Sequence, residues 1–157
     1  GVTLGLTGLW GSSPSDIYAT GETGVVLRYD GTAWRPTYTR NGETLRAVWG
    51  SGPSDVWAVG DRGQVLHYTG SRWEYDTLRG TETSLLTLLG VRGRSANDIW
   101  IVGQSGLLSH FDGNEWKMQP SATTTSLVGV AVPPGVAEKP GPMWTVGQAG
   151  TVLRSLP

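Results

Sequence analysis

One run of residues recurs along this chain, four times with the last copy shortened, and that recurrence constrains the fold more than any other property. Trp10-Gly11-Ser12-Ser13-Pro14-Ser15-Asp16-Ile17-Tyr18-Ala19-Thr20-Gly21 returns as Trp49-Gly50-Ser51-Gly52-Pro53-Ser54-Asp55-Val56-Trp57-Ala58-Val59-Gly60. Looser copies surround Asn97-Asp98-Ile99-Trp100-Ile101-Val102-Gly103 and Pro142-Met143-Trp144-Thr145-Val146-Gly147. Gly21, Gly60, Gly103 and Gly147 therefore recur at intervals of about 40 residues, a period at which each copy is one supersecondary unit that buries its faces only against its neighbours.

Each unit reads as four short strands. The innermost, strand A, is apolar: Leu6 to Trp10, Leu45 to Trp49, Leu88 to Arg92 and Leu127 to Ala131, with a small residue (Gly8, Ala47, Gly90, Gly129) always third. Only a small side chain lets backbones approach closely around a crowded axis. Strand B follows, apolar on both faces and so expected between two neighbouring units. A second glycine, Gly24, Gly63, Gly106 or Gly150, stands three residues after the first, and these G-x-x-G turns are expected to use glycine's tolerance of positive φ. Strand C then runs to Asp30-Gly31, Thr69-Gly70 or Asp112-Gly113, hairpin signals, and strand D opens at Trp34, Trp73 and Trp116. No segment carries a helical apolar period, so helix is expected to be close to absent. Polar, threonine-rich links, roughly 36–43, 76–84 and 118–126, are expected to cross the surface between units.

Composition narrows the function classes. Charged residues make up 16% of the 157, below the roughly 25% of an average globular chain. Twelve basic and thirteen acidic residues leave a net charge of −1 with no basic stripe, which argues against nucleic acid as a partner. There is no cysteine, so disulfides, thiol chemistry and cysteine-held zinc are excluded. No apolar run approaches the roughly 18 residues that would cross a bilayer, so membrane insertion is not expected.

The shared pattern, W-G-x-x-x-x-D-[VI]-[WY]-x-x-G-x-x-G-x-[VL]-x-[RH]-[YF]-[DT]-G-x-x-W, resembles the blade of bacterial β-propeller repeats related to the Asp-box (sialidase-type) and photosystem II assembly-factor-like propellers. Tyr29-Asp30-Gly31-Thr32-Ala33-Trp34 lacks the residue that an Asp box has between its aspartate and glycine. The resemblance implies an all-β, propeller-type array of four-stranded antiparallel blades, three complete and the fourth lacking its outer strand. It makes 1–157 a single propeller domain or propeller segment, with blades at about 6–44, 45–87, 88–126 and 127–157. The fourth copy has no aspartate before Met143 and carries a proline-rich insertion from Pro133 to Pro142. Three arrangements follow: a segment of a larger propeller, open subunits that complete a ring with one another or a partner, or a closed four-bladed ring in which Gly1 to Leu4 supplies the missing strand.

Candidate chemistry is weighed residue by residue. Asp16, Asp55 and Asp98 stand at one place in three units, where a carboxylate that accepts backbone N–H bonds would fix the A–B turn. Lying on different blades, they are not expected to converge as a catalyst or calcium site. His67 and His110 share the strand C slot that holds Arg28 and Arg154 elsewhere, an amphipathic position covering apolar surface or bonding a neighbouring blade. No acidic cluster accompanies them, so no metal is expected. No nucleophile elbow and no arginine cluster of a sialidase is present, so no catalytic residues and no cofactor are assigned. Trp57, Trp100 and Trp144 on strand B, with the strand D tryptophans, are expected to pack between blades.

The candidate ligand-binding residues are Trp10, Trp49 and Arg92 at the mouths of the A–B loops and Asp61, Arg62 and Gln104 at the B–C turn tips, where residues change while the frame stays fixed. The expected role is a non-catalytic recognition or scaffold module that binds a protein or glycan through these tips, outside the cytoplasm. The alternatives are a structural or assembly subunit whose open blade edges pair with another chain, as a homo-oligomer or with the remainder of a larger propeller, and a fragment of an Asp-box-type glycoside hydrolase.

Overall fold

A computed structural model describes residues 3–40, 42–76, 78, 85–134 and 141–155. Four antiparallel sheets follow one another, each with its strands side by side in chain order. The first holds β1 (Leu6–Ser13), β2 (Asp16–Gly21), β3 (Val26–Tyr29) and β4 (Trp34–Tyr38). The second holds β5 (Leu45–Gly52), β6 (Asp55–Gly60), β7 (Val65–Tyr68) and β8 (Trp73–Asp76). The third holds β9 (Leu88–Ser95), β10 (Asp98–Gly103), β11 (Leu108–Phe111) and β12 (Trp116–Met118). The fourth has three strands, β13 (Leu127–Ala131), β14 (Trp144–Gly147) and β15 (Val152–Arg154). The inner strands β1, β5, β9 and β13 lie next to one another in that order. The described residues thus form a propeller-type array of three four-stranded blades and a fourth of three strands. No helix among the described residues is long and apolar enough to cross a membrane.

The turns show why the two glycines of each G-x-x-G differ. Thr23 and Gly24 both have positive φ, 55° and 74°, and Val25 donates its N–H to the Glu22 carbonyl at 3.3 Å, a hairpin turn whose twist suits the flanking strands. The first glycine does not share that conformation, contrary to the expectation from sequence. Gly60 is extended, and a Cβ there would stand 2.2 Å from the Thr44 carbonyl oxygen; close approach of the incoming link requires it. Gly8 is small for the reason expected, since a Cβ would lie 3.2 Å from the Ala47 Cα of the next blade.

The core lies in three seams between blades. Tyr18 and Val26 of the first blade meet Leu45, Val48, Val56, Ala58 and Leu66 of the second. Trp57, Val59 and Val65 of the second meet Leu88, Val91, Ile99 and Trp116 of the third. Val102 and Leu108 of the third meet Leu127 and Met143 of the fourth. At the ends of the array the same positions lie open: Leu6 is 54% exposed where Leu45 is 0%, and Val152 is 61% exposed where Val65 is 0%. Leu4 packs against Ala19, Val25 and Leu27 of its own blade. Gly1 and Val2, which were expected to offer a closing strand with it, lie outside the described residues, as do 135–140 of the proline-rich insertion and much of the 76–84 link.

Candidate binding groove

Each inner strand carries a bulged residue near its start. The register of β1 on β2 steps from Leu6 to Gly8, leaving Thr7 unpaired; Arg46, Leu89 and Val128 hold the same place in β5, β9 and β13. A bulge re-aims its side chain, and these four residues line a groove of about 230 Å³ along the inner strands, over a floor that includes Gly8, Ala47, Gly90 and Gly129. Leu9 and Val128 are exposed on its walls.

Two arginines give the groove its charge. Arg46 is held by Asp61, Nε to Oδ1 and Nη2 to Oδ2, both at 2.9 Å. The Arg46 guanidinium keeps the Asp61 carboxyl below the usual carboxylate range, so the pair is charged and internally balanced. Arg92 is exposed and forms no ion pair among the described residues.

The other residues singled out in the sequence are spread along the array. The Trp10 ring lies against the next blade, where a Cβ on Gly50 would meet it at 2.7 Å, and its centroid is 6.2 Å from that of Tyr18. Trp49 is 8% exposed and covers Gly93 in the same way, a Cβ there meeting the ring at 2.5 Å. Both indoles therefore fill seams. Arg62, in a positive-φ position, pairs with Glu43 at 3.0 Å on the surface. Gln104 accepts the Thr87 N–H at 2.9 Å and so holds the entry to β9, as Glu22 accepts the Gly5 N–H at the entry to β1.

The three aspartates accept side-chain donors in place of the expected backbone N–H groups. Asp55 Oδ1 takes the Trp57 indole N–H at 3.0 Å and His67 Nε2 at 2.6 Å, and its Oδ2 takes the Ser51 hydroxyl. Asp98 repeats this with Trp100 at 3.0 Å and His110 at 2.9 Å, with Arg94 in the serine's place. Asp16 takes Ser12 and Arg28. The histidines thus bond within their own blade, and not to a neighbouring one, because strand C runs beside strand B and sets residue 67 opposite Trp57. Burial works to raise the Asp55 carboxyl, but His67 and Ser51 outweigh it and hold it below its ordinary value. Burial is likewise outweighed at Asp98, by Arg94 and His110. Constant twelve-residue spacing of Asp16–Arg28, Asp55–His67 and Asp98–His110 was the signal available in the sequence. Among the described residues, no three His, Cys, Asp or Glu side chains gather to hold a metal.

No protein-family model and no curated protein matches the chain. Solved structures do. A structure of YCF48 bound to a D1 peptide superposes with a TM-score of 0.70 at 17% identity, over 96% of this chain and 50% of that one. YCF48 from Cyanidioschyzon merolae gives 0.71 at 15% identity, over 95% and 50%. The computationally designed Ika8 protein gives 0.71 at 15% identity, over 94% and 44%. The chain spans about half the length of these structures, and the likeness is one of fold.

Proposed function

We propose that this chain is a non-catalytic module that holds a segment of another protein in the inner-strand groove, with Arg92 as its anchor for a carboxylate. The observation that carries this reading is the exposed Arg92 guanidinium, without an ion pair among the described residues, beside apolar walls that include Val128 and Leu9. An arginine flanked by apolar surface is a frequent energetic centre of protein recognition. The YCF48 structure that contains a D1 peptide supports a polypeptide as the class of ligand. A glycan is the weaker choice, since the indoles expected at the binding surface, Trp10 and Trp49, sit in seams. Catalysis is disfavoured because each of the recurrent aspartates Asp16, Asp55 and Asp98 is engaged inside its own blade.

The test is a peptide array probed with the chain and with Arg92→Glu. Bound peptides should share an acidic group next to apolar residues, and the variant should bind them about 10-fold more weakly at low salt without a change in thermal midpoint. Equal binding by both proteins would remove the groove from the account.

A second reading, an assembly subunit, draws on the open ends of the array. Leu6 and Leu9 at one end and Trp144, Val146 and Val152 at the other are exposed where their counterparts pack against a neighbouring blade. Sedimentation that gives a monomer at all concentrations would count against self-assembly through these faces.

A further inference from the structure

The first residue of each B–C turn, Glu22, Asp61, Gln104 or Gln148, donates its backbone N–H to a carbonyl of the link that leads into its own blade's inner strand, at 2.9 to 3.0 Å. In the first and third blades the side chain of that residue returns the bond. Glu22 Oε2 accepts the Gly5 N–H at 3.0 Å, and Gln104 Oε1 accepts the Thr87 N–H at 2.9 Å. Asp61 keeps the backbone half, to Thr44 at 2.9 Å, but its side chain is one methylene shorter and takes Nε and Nη2 of Arg46. The turn is therefore tied to its link by the backbone, and the carboxylate is turned to a residue of the groove.

Arg46 and Arg92 stand at opposite ends of that groove. Arg46 is the second residue of β5 and Arg92 the fifth of β9. Neighbouring inner strands run in one direction because the blades repeat, so three residues of rise, about 10 Å, separate the two levels. At the upper level the Arg92 guanidinium is exposed, without an ion pair among the described residues. At the lower level the Arg46 guanidinium faces two carboxylates. Asp61 holds its fork, and the turn Glu22–Gly24 of the first blade lies against β5, with the Glu22 charge acting on Arg46 as well. A carboxylate that arrives at Arg46 meets an occupied fork with like charge beside it, whereas one that arrives at Arg92 does not meet that pair.

We propose that Asp61 is the specificity-determining residue of the groove. By occupying the Arg46 fork it restricts the site to polypeptide segments that bring an acidic side chain to Arg92 and a neutral or basic one to Arg46. This assignment rests on the groove being the peptide site. Discrimination then comes from like charge set against the wrong ligand, in addition to attraction for the right one.

The test is an array of peptides, acetylated and amidated at their ends so that only side chains carry charge. Each has one glutamate in an apolar background and a second position, scanned along the peptide, that holds Glu, Gln or Lys. The array is probed with the native chain, Asp61→Asn and Arg92→Glu. At the distance that reaches Arg46, the native chain should bind the Gln and Lys peptides about 10-fold more tightly than the Glu peptide at low salt. Asp61→Asn should close that gap to within about 2-fold, while peptides with a single glutamate change by less than about 3-fold. Asp61→Gln, which copies Gln104 and its bond to the link, should close the gap equally, so a folding defect in Asp61→Asn does not decide the outcome. An unchanged ratio of Glu to Gln binding in both variants would overturn the role of Asp61 and leave the groove reading in place. Native-chain preference for the doubly acidic peptides would overturn it too, since a ligand carboxylate would then displace Asp61. Binding that is absent, or equal for the native chain and Arg92→Glu, would overturn the groove reading and this assignment with it.

Discussion

The imidazole of His67 lies flat on the indole of Trp57, centroids 3.8 Å apart and planes 10° from parallel, while a nitrogen of each ring reaches the same Asp55 oxygen. Neighbouring strands set the rings side by side, and the carboxylate closes the triangle at the end of the hairpin. His110, Trp100 and Asp98 repeat the arrangement with centroids 4.3 Å apart. In the first blade Arg28 replaces the histidine, bonds Asp16 and lies over the Tyr18 ring at 5.2 Å. The fourth blade has no aspartate there, and Arg154 rests over Trp144 at 5.4 Å.

Asp55→Ala leaves a buried indole N–H without an acceptor, so it should destabilise the fold by about 2–3 kcal/mol. His67→Arg should cost less than about 1 kcal/mol, because the first blade already meets the same need with Arg28. Urea denaturation of the two variants measures both; equal losses would show that the ring stack, and not the bond to the carboxylate, holds this end of the blade.

Acid should act on the same groups. Asp55 and Asp98 are held below the ordinary carboxylate value in the folded chain, so their contribution is present above that value and is lost as pH falls through the lower folded one. Asp30, bonded by the Thr32 hydroxyl and the backbone at Ala33, and Asp112, bonded by Lys117, are shifted downward too and add to the same loss. Between about pH 7 and about pH 3 the urea midpoint should fall for the native chain, and by less for Asp55→Asn with Asp98→Asn, which starts lower. A parallel decline of the two proteins would assign the acid sensitivity to other carboxylates.

The strands and turns were legible in the sequence because each is a local event: alternation, a glycine at positive φ, an Asp-Gly corner. What was not legible depends on contacts between repeats. Trp10 and Trp49 stand at a loop mouth in the sequence, yet each ring ends over a glycine of the following blade, Gly50 or Gly93, about 40 residues on. The paired bulges at Thr7, Arg46, Leu89 and Val128 were hidden because a bulge is a property of register between two strands, and no single strand announces it. Arg92 was reachable, since it breaks a tryptophan position in an otherwise regular copy.

Two glycines with the same φ separate backbone strain from crowding. Gly106 and Gly150 both have φ of 71°, but a Cβ on Gly106 would lie 2.0 Å from the Thr123 carbonyl oxygen, whereas one on Gly150 meets nothing within 4 Å among the described residues. Gly150→Ala should therefore cost about 1–2 kcal/mol, the penalty of the left-handed conformation alone. Gly106→Ala should cost a further ~1–3 kcal/mol as the 121–125 link is displaced. Thermal midpoints of the two variants decide this, and equal shifts would mean that the link moves freely.

The strand D tryptophans should differ in the same diagnostic way. Trp116 is 4% exposed, set edge-on to Trp57 of the blade before it and bonded to Asp76, so its indole joins two blades. Trp34 opens the first blade's outer strand and is 46% exposed on Tyr29, centroids 5.5 Å apart. Trp116→Ala should cost about 3–5 kcal/mol through the cavity left in the seam. Trp34→Ala should cost less than about 1.5 kcal/mol, the scale of one aromatic pair at the surface. If denaturation shows Trp34→Ala to be as damaging as Trp116→Ala, the first blade is covered in solution by something that takes the place of a preceding blade.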